Sequence, residues 1–378
     1  MNIPFSKAYL TGNEIDYIAE VHAQGHFSGD GPFTTLCSAW LEKHVGCKKA
    51  LITHSCTAAL EMAIILADIQ PGDEVIMPSF AFSSAANAVV LRGGTPVFID
   101  VRLDTLNIDE KFIEAAISAR TKAIIVVHYA GVACEMDVIM DVAKRFGLIV
   151  IEDAAQAIMA SYKGRALGSI GDLGCYSFHQ TKNIISGEGG ALLINNNIFL
   201  DRAYIIREKG TNRTNYLKGS IDKYTWIDIG SSYLPGEIIS AFLWAQLQKA
   251  KSITLKRLTI WNRYHKAFEK LERSGRVQRP HIPEEINLNG HCYFLILNQL
   301  LDRDALIDSL KKQGVSCAFH YVALDSSIAG LKYGRVCGDL SNTINIQNKI
   351  LRLPLWLGMD ESLQQIAIIK ICDVIENG

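Results

Sequence analysis

Asp153 and Lys182 are ionisable residues that each lie at the end of a short, mostly apolar run. Asp153 closes the run 149–152, and Lys182 follows the run 174–178 after a short interval. A lysine amine can condense with an aldehyde, and a carboxylate that faces a ring nitrogen keeps it protonated, so that the ring absorbs electrons. The pair therefore predicts a pyridoxal 5'-phosphate site in which Lys182 and Asp153 are the catalytic residues.

Each of these residues has a simpler explanation when it is taken alone. An aspartate after a strand commonly caps the next helix, and a lysine in a loop is commonly solvated. The combination is more specific, because open α/β sheets bind ligands at the ends of neighbouring strands. We therefore favour one cofactor site over two unrelated residues.

Three further segments predict contacts to such a cofactor. Residues 55–60 follow a predicted strand and open a helix, where free N–H groups and the Thr57 hydroxyl would attract a phosphate, although a plain helix cap is the alternative. Ser177, five residues before Lys182, is a second candidate phosphate ligand. Phe82 follows another predicted strand and would stack on a flat ring, with core packing as its alternative.

Composition indicates that the partners are small molecules. Of the 378 residues, 49% are hydrophobic and 20% are charged, and the net charge is -1, so nucleic acid and anionic membranes are not expected as partners. The nine cysteines lack zinc-binding spacings, so we expect no metal, and this cysteine usage suits a reducing cytoplasm. Residues 1–7 lack the apolar core of a signal peptide, and no apolar stretch is long enough to span a membrane.

Apolar runs alternate with helical patterns between about residues 48 and 200. This alternation predicts a large α/β domain with a parallel or mixed sheet that is covered by helices on both faces. The predicted strands are 50–53, 74–77, 96–101, 123–128, 148–152, 174–178 and 191–194, and the predicted helices are 57–66, 84–91, 109–116 and 136–146.

Residues 235–271 carry a long helical pattern that we expect to bridge to a smaller C-terminal α+β domain. The predicted elements of that domain are strand 293–297, helix 303–312, strand 316–322 and helix 361–376. The expected domains are therefore 1–250, with an N-terminal arm, and 251–378, which includes the bridging helix.

These segments, in this order, resemble the DegT/DnrJ/EryC1/StrS sugar aminotransferases, which are fold-type I pyridoxal phosphate enzymes. The resemblance covers nearly the whole chain. It is carried by GDG (29–31), SCTAAL (55–60), PGDEV (71–75), FIDV (98–101), DAAQ (153–156), SFHQTK (177–182) and AQL (245–247).

The resemblance implies a role for individual residues. Lys182 holds the cofactor through its amine and later moves the proton, while Asp153 pairs with the ring nitrogen. Gln156 supports the phenolic oxygen and Phe82 stacks on the ring. The residues expected at the phosphate are Thr57, Ala58, Ser177 and Ser232. Many relatives carry an asparagine at the place of Ser232, so that contact is the least secure of the four.

A narrower resemblance to family members that make dTDP-4-amino-4,6-dideoxygalactose for enterobacterial common antigen is carried by segments 128–137, 207–213, 222–226 and 228–234. It implies amino transfer from L-glutamate to a dTDP-4-oxo-6-deoxyhexose in a homodimer with shared active sites. The expected substrate-binding residues are His179, Glu188, Arg213, Lys218, His320 and Tyr321. A structural histidine is the alternative for His179, and solvated loop charges are the alternative for Arg213 and Lys218. Segment 320–325 lacks the proline and second histidine that are common in the family after His-Tyr.

Other functions stay open at this point. The enzyme could aminate C3 of the sugar, or use a GDP or UDP sugar. A sugar dehydratase of the same fold would carry histidine in place of Lys182. A non-catalytic regulator that only binds the cofactor would normally need a DNA-binding segment, and no basic helix is evident.

Overall fold

The computed structural model describes residues 2–217 and 219–377, so the predicted substrate-binding residue Lys218 lies outside the described residues. The strands are β1 (Lys49–Thr53), β2 (Glu74–Pro78), β3 (Thr95–Ile99), β4 (Thr121–Val127), β5 (Ile149–Asp153), β6 (Ser161–Tyr162), β7 (Arg165–Ala166), β8 (Leu173–Ser177), β9 (Gly190–Ile194), β10 (Val277–Gln278), β11 (Ile286–Asn287), β12 (Tyr293–Leu297), β13 (Arg335–Val336) and β14 (Ile350–Leu353).

The helices are α1 (Glu14–Gln24), α2 (Pro32–Val45), α3 (Cys56–Leu66), α4 (Ser83–Leu91), α5 (Ile113–Ala116), α6 (Met136–Phe146), α7 (Leu200–Arg207), α8 (Arg213–Leu217), α9 (Glu237–Gln248), α10 (Ala250–Ala267), α11 (Glu269–Arg273), α12 (Arg303–Lys312), α13 (Ile328–Tyr333), α14 (Ser341–Lys349) and α15 (Glu361–Asn377). Short 3₁₀ helices lie at Glu110–Phe112, Tyr129–Gly131 and Asn197–Phe199. The predicted helix 109–116 is therefore a 3₁₀ turn followed by the single turn of α5.

An eight-stranded sheet in the order β1-β9-β8-β5-β4-β2-β3-β13 forms the centre of the protein. The pairs from β8 to β13 are parallel, whereas β9 is antiparallel to both β8 and β1. All strands predicted between residues 48 and 200 lie in this sheet, each within about two residues of its predicted ends. The predicted mixed α/β architecture is confirmed.

Strand residues alternate between two hydrophobic cores, one on each face of the sheet. On β4, Ile124 and Val126 pack in one core, and Ala123 and Ile125 pack in the other. Helices α2, α6 and α9 contribute to the first core, and α3, α4 and α7 contribute to the second. Because helices cover both faces, the central strands are mostly apolar instead of alternating between apolar and polar residues.

The C-terminal part of the chain forms a second, smaller sheet. The predicted helical stretch 235–271 is divided into α9, α10 and α11, with breaks at Lys249 and Phe268. Beyond it, β12 pairs antiparallel with β10 and β14, and α12 packs on α15 beside them. The edge strand β13 also comes from this part but joins the large sheet. The exact domain boundary near residue 250 stays a prediction.

The predicted strand 316–322 is wrong. Only Ala318 bridges to Arg352, and the chain then leaves β14. It leaves because His320 and Tyr321 turn inward, where they meet the Tyr129 hydroxyl and the Gln156 amide. Two consecutive side chains that both turn inward cannot follow the alternation of a strand, in which neighbouring residues face opposite sides. Separately, no helix in the described ranges has both the length and the apolar character needed to cross a bilayer.

Candidate active site

A cavity of about 740 Å³ lies between the carboxyl ends of β5 and β8 and segments from the C-terminal part of the chain. Its lining includes these predicted site residues: Thr57, Phe82, Asp153, Gln156, Ser177, His179, Lys182, Glu188, His320 and Tyr321. The side that belongs to the large sheet is called the sheet wall and consists of Thr57, Asp153, Ser177 and Lys182. The opposite side is called the C-terminal wall and consists of His291, Cys292, His320, Tyr321 and Arg352.

Asp153 ends β5 and lines the cavity with a buried carboxylate. Its Oδ1 accepts a hydrogen bond from the Ala155 N–H at 3.1 Å, and Oδ2 has no partner among the described residues. Burial raises the pKa of Asp153, and the Ala155 N–H, Lys182 and His128 oppose that shift. A protonated ring nitrogen would supply both the missing hydrogen bond and a compensating positive charge.

Lys182 lies in the turn after β8, where its backbone N–H donates to the His179 carbonyl oxygen at 2.9 Å. Burial lowers the pKa of its ammonium group, and the nearby Cys56 and Asp153 oppose that shift. A lowered pKa increases the fraction of Lys182 that is a neutral amine at a given pH, and an amine must be neutral to act as a nucleophile or as a proton-transfer base. The electrostatics of this pair therefore suit a lysine-bound ring cofactor.

The N-terminus of α3 borders the cavity. Ser55 caps this helix, since its Oγ accepts the Ala58 N–H at 3.0 Å, and the Thr57 hydroxyl lies 2.8 Å from the Ser84 hydroxyl. Ser55, Thr57 and Ser84 line the cavity, whereas Ala58 does not. The helix cap is therefore present, and it leaves room for a phosphate, because hydroxyl groups surround the positive end of the helix dipole.

A close approach between β9 and α3 brings Ser177 to the same place. Ser177 pairs with Gly190 across β8 and β9, and a Cβ on Gly190 would lie only 2.4 Å from the backbone carbon of Ser55. Glycine is therefore required at position 190 for the strand to approach the helix. The Ser177 hydroxyl accepts the His179 N–H at 3.4 Å and lines the cavity.

Gln156 connects the two walls of the cavity. Its Oε1 accepts the Ala130 N–H at 2.7 Å, and its Nε2 donates to the Tyr321 hydroxyl at 2.6 Å, which fixes the orientation of the amide. The Tyr321 ring stacks on His320 with centroids 3.8 Å apart, and His320 Nδ1 lies 2.5 Å from the Tyr129 hydroxyl. The C-terminal wall is therefore held against the sheet by side-chain hydrogen bonds.

Phe82, His179 and Glu188 lie at the rim of the cavity. Phe82 is 58% exposed, so the core-packing alternative is wrong for this residue, and Phe80 fills the core instead. The Phe82 ring centroid lies 6.3 Å from that of Tyr321. His179 Nε2 is 3.7 Å from a carboxylate oxygen of the exposed Glu188, so these two groups form a loose pair at the entrance.

Arg213 and Ser232 do not line the cavity of their own chain. Arg213 begins α8 and forms an ion pair with Glu208 at 3.3 Å. Ser232 is exposed and forms a β-bridge with the same Glu208. Both belong to the segment 207–234, so a role for them at a cavity would require this segment to reach another subunit.

Sequence reasoning did not single out Arg352, His291 or Cys292 of the C-terminal wall. Burial lowers the pKa of His291 and of His320, and the charges of Lys182 and Arg352 act in the same direction, so both imidazoles are neutral near neutral pH. Arg352 lies between two leucines of β14, which is also the pattern of a strand with one solvated face. The sequence therefore contained no specific signal for it.

The described residues fit pyridoxal phosphate. The sheet wall has an amine for its aldehyde, a carboxylate with a free oxygen for its ring nitrogen, and a helix N-terminus with hydroxyls for its phosphate. The exposed ring of Phe82 is available to cover its flat face.

Comparisons with known proteins agree with this geometry. A family model for the DegT/DnrJ/EryC1/StrS aminotransferases matches residues 9–371. The spore coat polysaccharide biosynthesis protein SpsC of Bacillus subtilis is 32% identical over 385 residues, with 99% of this chain and 97% of that protein covered. The aminotransferase TlmJ from Streptoalloteichus hindustanus has a TM-score of 0.91 at 27% identity, with 100% of both chains covered. The pyridoxal phosphate form of the putative sugar aminotransferase Spr1654 from Streptococcus pneumoniae has a TM-score of 0.90 at 26% identity, with 100% and 99% covered. The chain belongs to the DegT/DnrJ/EryC1/StrS aminotransferase family, and it is a fold-type I pyridoxal phosphate enzyme.

Proposed function

We propose that the enzyme transfers an amino group from L-glutamate to the 4-oxo group of a dTDP-4-oxo-6-deoxyhexose. The product is dTDP-4-amino-4,6-dideoxygalactose, which is used for cell-surface glycan synthesis. One observation carries the amino transfer part of this proposal: the amine of Lys182, whose pKa is lowered by burial, and the buried carboxylate of Asp153 line the same cavity. Amino transfer needs a base that moves a proton and an anion that keeps the ring electron-poor.

The residues of the sheet wall each have a part in this reaction. When it is bound, pyridoxal phosphate supplies an aldehyde for amine exchange and a ring that withdraws electrons. Asp153 keeps the ring nitrogen protonated, while Thr57, Ser177 and the N-terminus of α3 bind the phosphate. With the cofactor bound, Lys182 would take the proton from the α-carbon of L-glutamate and would pass it to the carbon that carried the cofactor's aldehyde. After 2-oxoglutarate has left, Lys182 moves protons in the reverse order for the sugar.

Two observations favour a sugar nucleotide as the amino acceptor. SpsC, a relative along almost the whole chain, is named for polysaccharide biosynthesis. The segments 128–137, 207–213, 222–226 and 228–234 resemble family members that make the dTDP-linked 4-amino sugar. We propose that His179, Glu188, His320 and Tyr321 contact the sugar, and that Arg213 and Lys218 contact its diphosphate.

A panel of oxo sugar nucleotides with L-glutamate as the donor tests this function. The panel contains 4-oxo and 3-oxo sugars linked to dTDP, UDP and GDP, and the amino sugar products are identified by mass spectrometry and NMR. We expect the dTDP-4-oxo-6-deoxyhexose to give the highest kcat/KM and a product with the galacto configuration. A preference for a 3-oxo sugar, or for a UDP or GDP sugar, would replace the proposed substrate with that alternative.

We also propose a homodimer in which the segment 207–234 of one subunit completes the cavity of the other. The segment carries large apolar side chains that are exposed in a single chain, among them Trp226 at 76% and Ile227 at 52%. Exposed apolar groups of this size are typical of interfaces. The segment also carries Ser232 and Arg213, which do not line the cavity of their own chain.

Subunit complementation tests the shared site. In the proposed shared site, Lys182 comes from one subunit and Arg213 from the other. Lys182→Ala and Arg213→Glu therefore each inactivate both sites of their own homodimer, but a mixed dimer of the two variants contains one site with both residues native. After unfolding and refolding of an equal mixture, we expect recovery of about a quarter of native activity, since half of the dimers are mixed and each has one good site. A monomer by light scattering, or a mixture as inactive as its parts, would contradict the shared site.

We further propose that the enzyme works in the cytoplasm. All nine cysteines lie in the described part of the chain and are free thiols, most of them buried. Unpaired thiols are typical of proteins that stay in a reducing compartment.

A further inference from the structure

Arg352 of the C-terminal wall has a guanidinium group with free donors. It lines the cavity on β14, and its Nε donates to the Phe319 carbonyl oxygen at 3.4 Å. Its guanidinium carbon lies 4.8 Å from the centroid of the Phe5 ring, which also lines the cavity. Among the described residues, no carboxylate pairs with Arg352, and its two terminal nitrogens have no hydrogen-bond partner.

The other arginine of the cavity lining is used differently. Arg257 is buried, and its donors are occupied by the carbonyl oxygens of Gly290 at 3.0 Å and of His291 at 2.6 Å. Burial lowers the pKa of Arg257 to about 10. Arg257 therefore holds the backbone of the C-terminal wall, whereas the terminal nitrogens of Arg352 are available to a ligand.

The backbone and the side chain of Arg352 are both held in place. Its N–H donates to the Ala318 carbonyl oxygen at 2.7 Å, and the Ala318 N–H donates back at 3.0 Å. The Phe5 ring and the Phe319 carbonyl then fix the side chain, so little rotamer entropy is lost when an anion binds. A planar guanidinium with two free terminal nitrogens matches a carboxylate, which accepts two parallel hydrogen bonds.

We propose that Arg352 binds the α-carboxylate of the amino donor. The inference rests on the proposed function and names a binding residue for its first substrate. The charge of Arg352 acts on Lys182 and on His320, so the guanidinium lies near the reacting groups. The α-carboxylate is attached to the carbon whose proton Lys182 removes, whereas the diphosphate of a sugar nucleotide is separated from the reacting carbon by part of the sugar ring.

The two half-reactions of the holoenzyme separate these ligands. The donor half-reaction is followed as loss of the visible cofactor band after mixing with L-glutamate. The acceptor half-reaction is followed as return of that band after enzyme loaded with pyridoxamine phosphate is mixed with the oxo sugar nucleotide. In Arg352→Gln we expect the half-saturating L-glutamate concentration to rise roughly 10- to 100-fold, the usual loss for hydrogen bonds to a charged group. The acceptor half-reaction should change by less than about threefold.

Two further variants control for structural damage. Arg352→Lys keeps the charge without the planar fork, so we expect an intermediate half-saturating concentration. Arg303→Gln is the matched control, because the Arg303 guanidinium also lies near Phe319, 5.6 Å from its ring, but Arg303 does not line the cavity. It should leave both half-reactions native.

L-Glutamine distinguishes the two carboxylates of the donor, because it keeps the α-carboxylate and replaces the other with an amide. An equal loss with L-glutamine and L-glutamate supports the proposal, and a loss with L-glutamate alone overturns it in favour of the side-chain carboxylate. Loss in the acceptor half-reaction alone, or equal loss in both, also overturns it. If no sugar nucleotide is turned over, donor binding can still be measured with 2-methyl-L-glutamate, which has no α-proton and so does not react further. Equilibrium titration then compares its dissociation constant for native enzyme and for Arg352→Gln. A negative result for the proposed role of Arg352 is thus distinguishable from a negative result for the proposed function.

Discussion

The two walls of the cavity are built in different ways. The sheet wall takes its groups from the ends of β5 and β8 and from the start of α3, where backbone hydrogen bonds and two hydrophobic cores fix their positions. The C-terminal wall takes His320 and Tyr321 from an irregular segment, which is held by side-chain contacts to Tyr129 and Gln156. In the proposed function, the sheet wall carries the proton transfer chemistry and the C-terminal wall binds substrate. Substitutions in the sheet wall should therefore lower the rate of the chemical step, whereas substitutions in the C-terminal wall should mainly weaken substrate binding.

The largest effect is expected at Lys182. Lys182→Met removes the proposed attachment point and base, so single-turnover amino transfer should fall by at least about 1000-fold, while binding of the sugar nucleotide persists. The visible band of the purified protein should be lost or shifted as well. Lys122→Met, at an exposed position of β4, is the control. If Lys182→Met kept a tenth of native turnover, another amine would have to do the chemistry.

The same substitution has an effect on stability that depends on pH. Burial lowers the pKa of Lys182, so the folded protein disfavours the charged ammonium. The full loss of folding free energy applies below the pKa that Lys182 has in the folded protein, and it disappears as the pH rises above the ordinary pKa of lysine. Cofactor-free Lys182→Met should therefore unfold at a higher temperature than native protein near about pH 7, with a smaller difference near about pH 10. Thermal unfolding at the two pH values measures this, and an increase of the difference with pH would contradict the assignment.

The second largest effect is expected at Asp153. Asp153→Asn keeps the shape but removes the negative charge opposite the ring nitrogen, so kcat should fall by about 100-fold. Burial raises the pKa of this carboxyl, so the ionised form is penalised in the folded state above that pKa, and the penalty vanishes below the ordinary aspartate value. The asparagine variant should therefore be more stable than native protein without cofactor at neutral pH, but not in acid. Thermal unfolding of both proteins, with and without cofactor, checks the sign.

The sheet wall could be predicted from the sequence for a physical reason. Buried parallel strands are continuous apolar runs, and the polar residues that follow them lie at one edge of the sheet, so Asp153, Ser177 and Lys182 could be assigned to one site. The Ser55–Thr57 helix start could be recognised because a strand ends directly before it. Each of these residues lines the cavity.

The C-terminal wall could not be predicted in the same way. Arg352 faces the cavity only because β14 pairs with β12 and is bridged by Ala318, and these partners are distant in sequence. His320 and Tyr321 are assigned by resemblance, whereas the strand predicted at residues 316–322 does not form. In short strands and irregular segments, distant side-chain partners decide which way each residue points, and a single sequence does not show which of its residues become those partners.

A moderate effect is expected where the two walls meet. Tyr321→Phe removes the hydroxyl that accepts from Gln156 Nε2 at 2.6 Å and leaves that buried donor without its partner. We expect kcat/KM to fall about 5- to 10-fold, which corresponds to a net hydrogen bond of about 1 kcal/mol. In a double-mutant cycle with Gln156→Leu, the second loss should be smaller than in native enzyme, because the shared hydrogen bond is already absent. If the free-energy losses of the two single substitutions added up to that of the double variant, the two walls would act independently.

The smallest effect is expected at the rim, where neither wall encloses the side chain. Glu188 is exposed, and its carboxylate lies 3.7 Å from His179 Nε2, so water competes for every hydrogen bond it makes. Exposed charged pairs contribute little, and Glu188→Gln should lower kcat/KM for the sugar nucleotide by no more than about fivefold. The donor half-reaction should stay native, and added salt should reduce the difference further. A loss above about 50-fold would mean that bound substrate encloses Glu188, because only a desolvated carboxylate has that much effect.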